Sequence, residues 1–251
     1  MRRWAILLYG LFCYLFFFGV FLYAVGFMGN LWVPTQLDAA ASAPLTTAVA
    51  INLSLLLVFA VQHSLMARPF FKKWLTQYLP QSVERSTYVL ASNLAMVLLF
   101  VFWQPMGISI WTISNPYLVG LIYAVFFTGW AVIFVSTCLI SHFDLFGLRQ
   151  VWLEFQGKPY TQLKFNTPIF YRVVRHPLYV GWLLAIWATP TMTAGHLFFS
   201  VVTTLYILTA IRLEESDLVD THGVAYVSYR NNVPMLIPRL FQKSPQLQTA
   251  E

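Results

Sequence analysis

The chain has 251 residues, of which 10% are charged and 59% are hydrophobic, and its formal net charge is +6. A soluble domain usually carries about 25% charged residues, so this composition excludes an ordinary soluble globular protein and indicates an integral membrane protein. The two cysteines, Cys13 and Cys138, lie in apolar segments and provide neither a disulfide framework nor a metal-ligand spacing. We therefore expect no metal site.

Six apolar segments follow one another along the chain. Four of them are long enough to cross a hydrocarbon core of about 30 Å at about 1.5 Å per residue, and they cover residues 4–28, 46–66, 86–103 and 117–140. The fifth, 178–189, is too short to span alone, and a turn-prone link, 190–195, joins it to the sixth, 196–211. We predict an all-α polytopic membrane helix bundle whose last two segments form a helical hairpin, which could be shallow or re-entrant.

Lysine and arginine are concentrated on one side of this predicted topology. They lie before the first segment, between the second and third, between the fourth and fifth, and after the sixth, whereas the connections around 30–46 and 104–116 contain none. The positive-inside rule therefore predicts that both termini and the polar C-terminal region are cytoplasmic. The net positive charge then reflects this asymmetry and anionic lipid, and it does not indicate nucleic acid.

Polar side chains gather at the start of the fifth segment. Arg175 and His176 come directly before Pro177, and proline is favoured in the first turn of a helix. The free N–H groups of such a helix start suit an anion, and Arg175 and His176 add donors for a carboxylate. Tyr179 offers a ring and a hydroxyl, and Gly181 permits close backbone approach.

A second polar group closes the sixth segment at the same predicted membrane level. Glu214 and Glu215 can accept hydrogen bonds from ribose hydroxyls or from an amino group, and Tyr226 and Tyr229 could place rings over a cation. A ligand with a carboxylate, an amine, hydroxyls and a positive centre would use all of these groups. Because ionisable groups are costly beside lipid, the cluster predicts a functional site. The alternative for the two glutamates is that they simply end a span at water.

The order of these residues resembles the pattern Arg-His-Pro-x-Tyr-x-Gly, Glu-Glu, Gly-x-x-Tyr-x-x-Tyr of the isoprenylcysteine carboxyl methyltransferase-like membrane methyltransferases. The pattern is complete between residues 175 and 238. The resemblance implies a cytoplasmic pocket for S-adenosylmethionine, whose sulfonium carries the methyl group. It also implies that this cofactor is bound by Arg175, His176, Tyr179, Gly181, Glu214, Glu215, Tyr226 and Tyr229.

Four further segments, 62–69, 84–88, 142–150 and 188–196, resemble the bacterial methanethiol S-methyltransferases, which are close to NnrU-like membrane proteins. This resemblance implies that the chain methylates a small volatile thiol, methanethiol, to dimethyl sulfide in a bacterial inner membrane. Two alternatives stay open: a related methyltransferase that acts on a larger lipid-like or prenylated substrate, and a non-enzymatic NnrU-like protein. Nothing in the sequence indicates the oligomeric state.

On this interpretation the whole chain is a single methyltransferase domain. Residues 1–140 would hold four transmembrane helices, 141–175 would form a cytoplasmic connection, and 176–240 would form the hairpin and the cofactor-binding segment.

Methylation of a thiol requires the thiolate, so the site needs a group that takes the thiol proton. His142 and Asp144 follow the fourth segment, and an aspartate beside a histidine orients it and favours its protonated form. We predict His142 with Asp144 as the proton-handling pair and Arg149 as a partner of the thiolate or of a carboxylate. The alternative is a structural ion pair between Asp144 and Arg149. His63 lies near the end of the second segment, and two roles stay open for it: it lines a substrate pocket, or it makes a structural polar contact.

Overall fold

The computed structural model describes residues 1–163 and 166–239. In this part of the chain the helices are α1 Arg2–Gly29, α2 Leu45–Ala67, α3 Pro69–Leu75, α4 Gln81–Phe102, α5 Pro116–Ile140, α6 His142–Leu145, α7 Leu148–Gln156, α8 Ile169–Val173, α9 Pro177–Trp187, α10 Ala194–His222 and α11 Val224–Asn232. The strands are β1 Ser109–Thr112 and β2 Thr191–Thr193. Among these described residues, α1, α2, α4, α5 and α10 are long and apolar enough to cross a membrane. The predicted all-α membrane bundle is therefore confirmed.

Local sequence signals mark the ends of several spans. Asn115 caps α5, because its side chain accepts hydrogen bonds from the backbone N–H groups of Tyr117 and Leu118 at 3.0 and 3.3 Å. Thr193 caps α10 in the same way, with its hydroxyl 3.1 Å from the N–H of His196. Asn30 ends α1 in the left-handed conformation, at φ 54°, which is a common way to terminate a helix.

The hydrophobic core lies between α1, α4, α5, α9 and α10. Its centre includes Phe27, Leu99, Phe126 and Ile186, all of which are almost fully buried. The outer faces of the spanning helices expose large apolar side chains such as Leu15. Such side chains suit a lipid environment, since lipid tails are as apolar as leucine.

The closest helix pair is α5 with α9, which pack through glycines. A Cβ atom added to Gly129 of α5 would lie 2.7 Å from both the carbonyl oxygen of Gly181 and the nitrogen of Ala185 on α9. A Cβ atom added to Gly181 would lie 2.7 Å from the carbonyl oxygen of Gly129. Small residues at such positions let two backbones approach closely in a membrane, so these glycines set the position of α9.

The turn of the hairpin formed by α9 and α10 lies at the end of the bundle where α4 ends and α5 begins. β2, in the hairpin turn, pairs antiparallel with β1, with Trp111 opposite Met192. Because β1 lies between α4 and α5, the pairing places the turn at the end of the bundle where α4 ends. The 29 residues of α10 extend about 43 Å at about 1.5 Å per residue. α10 is therefore long and apolar enough to span, whereas α9 has only 11 residues and is continued by extended chain, and for α9 the shallow or re-entrant arrangement stays a prediction.

A buried polar network holds the hairpin turn to the loop after α1. The Asp38 carboxylate lies 2.8 Å from Nδ1 of His196 and 2.6 Å from the side-chain amide of Asn30, and it accepts a hydrogen bond from the Thr193 hydroxyl. His196 is 1% exposed, and its Nε2 lies 2.9 Å from the carbonyl oxygen of Ile186. The network therefore ties the loop, the strand and the start of α10 together.

We expect Asp38→Asn to lower the stability of the protein by about 1–3 kcal/mol, because a buried hydrogen-bonded charge is lost. Burial alone would raise the pKa of Asp38, but the hydrogen bond and charge of His196, with hydrogen bonds from Thr193 and Asn30, hold the pKa below its usual value. Since the pKa is lower in the folded state, this stabilisation is present above the usual carboxyl range and is lost as the pH falls through the folded-state pKa.

Thermal unfolding in detergent across a series of pH values would test this expectation. The wild-type protein should lose more stability in acid than Asp38→Asn does. Ser42→Ala removes an exposed hydrogen bond to Gln104 in the same region and should behave like the wild type. Equal acid dependence of wild type and Asp38→Asn would contradict the assignment.

Candidate active site

Three side chains converge where α9 begins. Nε of Arg175 donates a hydrogen bond to Oε1 of Glu215 at 2.7 Å, and Nε2 of His176 lies 3.0 Å from the same oxygen. The three side chains are only 11%, 12% and 5% exposed for Arg175, Glu215 and His176, respectively. A buried carboxylate thus holds two basic groups at the start of a helix. The sequence pattern led us to expect that these three side chains lie close together.

Arg175 also fixes the C-terminal segment over α9. Its Nη1 donates to the carbonyl oxygen of Val233, and its backbone N–H donates to that of Pro234 at 2.8 Å. The backbone N–H of His176 donates to the carbonyl oxygen of Met235 at 3.2 Å. The segment after α11 is therefore joined to the start of α9 by the same residues that bind Glu215.

The two neighbouring glutamates have different environments. Glu215 is buried and contacts Arg175 and His176, whereas the side chain of Glu214 is 47% exposed. Glu214 accepts a hydrogen bond from the hydroxyl of Tyr179 at 3.1 Å and lies 4.0 Å from Nδ1 of His176. Glu214 is therefore the carboxylate that an incoming ligand can reach.

Tyr226 and Tyr229 of α11 form an apolar wall beside this cluster. They are 1% and 5% exposed, their ring centres are 5.8 Å apart, and they pack with Val233. The hydroxyl of Tyr229 donates to the carbonyl oxygen of Tyr171. Burial raises the pKa of Tyr226 to about 12, so this phenol is neutral at pH 7. The role of either ring over a cation stays a prediction.

Gly181 packs against α5. Its close backbone approach is to Gly129 of α5, and a Cβ atom at this position would also lie 2.8 Å from the side chain of Ile133. The absence of a side chain at Gly181 is thus required for helix packing, and a role of Gly181 in cofactor binding stays a prediction.

His142 is enclosed by α1 and α5. Its Nε2 lies 2.9 Å from the hydroxyl of Tyr14, and its Nδ1 lies 2.8 Å from the hydroxyl of Thr137. Burial lowers the pKa of His142, which favours the neutral ring and not the protonated form that we expected. The predicted proton-handling pair of His142 with Asp144 is wrong, since the two side chains bind different partners.

Asp144 and Arg149 form an ion pair of their own. Nη1 of Arg149 lies 2.8 Å from Oδ1 of Asp144, and Tyr160 donates to the other carboxylate oxygen at 3.2 Å. Nη2 of Arg149 donates to the hydroxyl of Thr161 at 2.8 Å. These contacts join α6 and α7 to the chain that follows α7. Asp144 and Arg149 therefore form the structural ion pair that was the alternative interpretation, and a role of Arg149 in binding a thiolate or a carboxylate stays a prediction.

His63 contacts a second polar group that connects α2, α4 and α10. It binds Tyr88 and Ser92 of α4, while Ser64 lies 3.2 Å from the hydroxyl of Tyr206 on α10. We did not identify Tyr88 or Tyr206 from the sequence. The available signal was helical spacing. Tyr88 lies one turn after Glu84, and Glu214 lies eight positions after Tyr206, which is close to two helical turns.

An ion pair strengthens the junction of α2 and α10 near this group. Nη1 of Arg68 lies 3.1 Å from the carboxylate of Asp217. A cavity of about 620 Å³ lies between α9, α10 and the segment after α11, and it is lined by Val180, Leu183, Leu184, Leu208, Pro234, Met235, Leu236 and Ile237. The cavity wall is apolar, and it includes the segment that Arg175 holds.

Comparisons with known proteins identify the family of the chain. Residues 80–233 match the family described as "Protein of unknown function (DUF1295)". Methanethiol S-methyltransferase of Crocosphaera subtropica is 56% identical over 246 residues, which cover 97% of this chain and 96% of the relative. The Mycobacterium tuberculosis protein of that name is 49% identical over 238 residues (95% and 98%), and methanethiol S-methyltransferase 2 of Bradyrhizobium diazoefficiens is 48% identical over 241 residues (96% and 93%). No solved structure matches the chain. The chain therefore belongs to the methanethiol S-methyltransferase family.

Proposed function

We propose that this methyltransferase converts methanethiol to dimethyl sulfide and uses S-adenosylmethionine as the methyl donor. The observation that carries the proposal is the buried contact of Arg175 and His176 with Glu215 at the start of α9. It occurs in a chain whose relatives, named methanethiol S-methyltransferases, match it over almost their whole length.

The residues present fit the chemical groups of this donor. In the described part of the chain, protein groups occupy Nε and Nη1 of Arg175, which leaves Nη2 for the donor's carboxylate. The half-exposed Glu214 can accept hydrogen bonds from an ammonium group or from ribose hydroxyls. Tyr179 orients Glu214 through its hydroxyl. When bound, S-adenosylmethionine would supply an electrophilic methyl group on a positively charged sulfur.

The protein contributes orientation and exclusion of water. Glu215 holds the side chains of Arg175 and His176 in place before a ligand binds. The buried rings of Tyr226 and Tyr229 keep water away from this side of the cluster. Fixed charges act more strongly where water is excluded. We further propose that the site faces the cytoplasm of a bacterial cell, because the chain segments around it carry most of the lysines and arginines.

A larger lipid-like or prenylated thiol is the second candidate substrate. The apolar cavity of about 620 Å³ between α9, α10 and residues 234–237 favours it, because its lining would suit a hydrocarbon chain. The lining of the cavity shares no residue with the polar network of His63, Tyr88 and Ser92, so the two candidate substrates predict different residues near the reacting sulfur.

Headspace gas chromatography tests the proposal. Membranes that contain the protein should form dimethyl sulfide only when both methanethiol and S-adenosylmethionine are added. We expect His176→Ala to lower turnover by roughly 10-fold or more, because the variant loses a buried hydrogen bond to the Glu215 carboxylate, a hydrogen bond to a charged group contributes about 1.5–3 kcal/mol, and about 1.4 kcal/mol corresponds to tenfold. Tyr117→Phe alters a side chain that is 86% exposed at the opposite end of the bundle and should change nothing.

The binding of S-adenosylmethionine should be measured by calorimetry in the same preparations. Binding without dimethyl sulfide would favour the larger substrate, which could then be tested with a prenylated thiol. If the protein neither bound S-adenosylmethionine nor formed dimethyl sulfide, the proposal would be overturned.

A further inference from the structure

Tyr88, His63 and Ser92 form a continuous hydrogen-bonded network between α2 and α4. The hydroxyl oxygen of Tyr88 lies 2.8 Å from Nε2 of His63 and 3.1 Å from Nδ1. Nδ1 lies 3.1 Å from the hydroxyl of Ser92. Tyr88 and Ser92 are 7% and 9% exposed, so water reaches this network poorly.

The direction of these hydrogen bonds follows from the donors available. The Ser92 hydroxyl donates to the backbone carbonyl of Tyr88 at 3.0 Å, and a carbonyl can only accept. Ser92 must therefore accept from His63, which places the ring proton on Nδ1. The ring nitrogen nearer to the Tyr88 hydroxyl, Nε2 at 2.8 Å, then carries no proton and can accept one. The phenol oxygen of Tyr88 keeps lone pairs that can accept a hydrogen bond from a substrate S–H group.

The network is close to the candidate cofactor residues. Tyr88 interacts electrostatically with Glu214 and Tyr206 of α10, and Tyr179 of α9 interacts with both Tyr88 and Glu214. Tyr179 and Glu214 are also joined directly by a hydrogen bond of 3.1 Å. Four helices, α2, α4, α9 and α10, thus contribute side chains to one polar region. The charged and titratable groups that face the network are Glu84, Arg85, Tyr179, Tyr206 and Glu214.

Aromatic and cationic groups shape the surroundings of the network. The ring of Phe59 stacks on His63, with ring centres 5.2 Å apart and an angle of 19° between the planes. The guanidinium carbon of Arg85 lies 4.9 Å from the centre of the Tyr88 ring. This positive group would stabilise negative charge that develops on the phenol oxygen or on a sulfur bound to it. Both rings are therefore held in place before a substrate arrives.

We propose that Tyr88 binds the substrate thiol and that Tyr88 and His63 together remove its proton. This inference rests on the proposed function, and it replaces His142 as the group that handles the proton. The thiol S–H bond breaks and its proton passes to the Tyr88 oxygen, while the phenol proton passes to Nε2 of His63. The electron pair of the broken bond stays on sulfur, which uses it to form the new bond to the donated methyl carbon.

His142 is less suitable for this role because of its contacts. Its ring nitrogens bind Tyr14 and Thr137 on α1 and α5, and no hydrogen bond or ion pair in the described part of the chain joins it to Glu214 or Tyr179. Next to His63, in contrast, the hydroxyl of Ser64 lies 3.2 Å from that of Tyr206 on α10, the helix that carries Glu214. Ser92 assists as a positioning residue, because its hydroxyl fixes which ring nitrogen of His63 carries the proton.

Comparing methanethiol with methaneselenol would test the relay. A selenol is a stronger acid than the corresponding thiol and is ionised at neutral pH, so it does not need a proton acceptor. We expect Tyr88→Phe and His63→Gln to lower methanethiol turnover by about 100-fold to 10,000-fold, the usual effect of general acid–base catalysis, and to leave methaneselenol turnover nearly unchanged. Turnover of methanethiol by the two variants should also rise with pH as the free thiol ionises.

Tyr9→Phe is a matched control on the other side of α4. Its hydroxyl lies 2.9 Å from that of Thr87, so the variant also loses a tyrosine hydrogen bond to α4, but away from the network. It should retain turnover of both substrates. An equal loss for thiol and selenol in Tyr88→Phe would show a structural role and would overturn the relay.

A readout without turnover separates the relay from the proposed function. Methanethiol would be added together with an unreactive cationic analogue of S-adenosylmethionine, and ultraviolet difference spectra would report thiolate. The wild-type protein should show thiolate at neutral pH, and His63→Gln should not. A wild-type protein that binds methanethiol without a thiolate signal would overturn the relay. Absence of dimethyl sulfide from a wild-type protein that shows thiolate would instead count against the proposed function.

Discussion

Replacing Glu215 with glutamine is expected to lower methyl-donor affinity and turnover by roughly 30-fold or more. The substitution preserves the shape of the side chain but removes the charge that Arg175 and His176 share. Arg175 is only 11% exposed at its side chain, so its charge would stay buried without a carboxylate. Truncating one partner of such a pair costs about 2–5 kcal/mol. Calorimetric titration with S-adenosylmethionine and headspace turnover measure the two effects.

Glu214→Gln is the matched control for this prediction. Its side chain is 47% exposed and accepts a hydrogen bond from the hydroxyl of Tyr179. We therefore expect weaker donor binding and an unchanged unfolding temperature, whereas Glu215→Gln should lower both. Normal donor binding by Glu215→Gln would show that the buried network does not organise the site.

Alanine at Gly129 is expected to lower the stability of the protein by about 3 kcal/mol and to reduce turnover at the same time. The added Cβ would lie 2.7 Å from backbone atoms of Gly181 and Ala185, and backbone atoms cannot rotate away as the end of a side chain can. Overpacking of this kind typically costs about 1–3 kcal/mol. Since α9 carries Arg175 and His176 at its start, displacement of α9 also moves the candidate site.

Gly120→Ala in the same helix provides the comparison. A Cβ atom there would have no neighbour within 4 Å, and alanine is favoured over glycine inside helices by about 1 kcal/mol. Thermal unfolding in detergent should therefore show Gly120→Ala as stable as the wild type or more stable. Similar stability of Gly120→Ala and Gly129→Ala would argue against the close contact of α5 and α9.

Hydropathy was sufficient to locate the six main helices. The segments predicted at 4–28 and 117–140 became Arg2–Gly29 and Pro116–Ile140, because long apolar runs have few alternatives to a helix in lipid. The strand Thr191–Thr193 was not predicted, since its partner Ser109–Thr112 lies about 80 residues earlier and local sequence carries no information about that pairing. The short helix Val224–Asn232 was also missed, because it is too polar and too short for a span.

The part of the candidate site that could be predicted is the part whose residues are adjacent in one sequence motif. Arg175 and His176 are adjacent in sequence, and the structure places Glu215 against both. His142 and Asp144 are two residues apart in a short helix, and residues with this spacing do not face each other. The contact of His63 with Tyr88 depends on how α2 packs on α4, so only the structure could reveal it.

The length of α10 has a consequence for how the enzyme meets its two substrates. At about 43 Å, the helix is about 13 Å longer than a hydrocarbon core of about 30 Å, and its last turns hold Glu214 and Glu215. A charged donor can arrive there from water, whereas a small thiol dissolves in both phases. On the proposed reaction, the concentration of thiol that governs the rate is its concentration within the bilayer. The same aqueous dose would then give different rates in vesicles and in detergent, because the two phases take up different amounts of thiol.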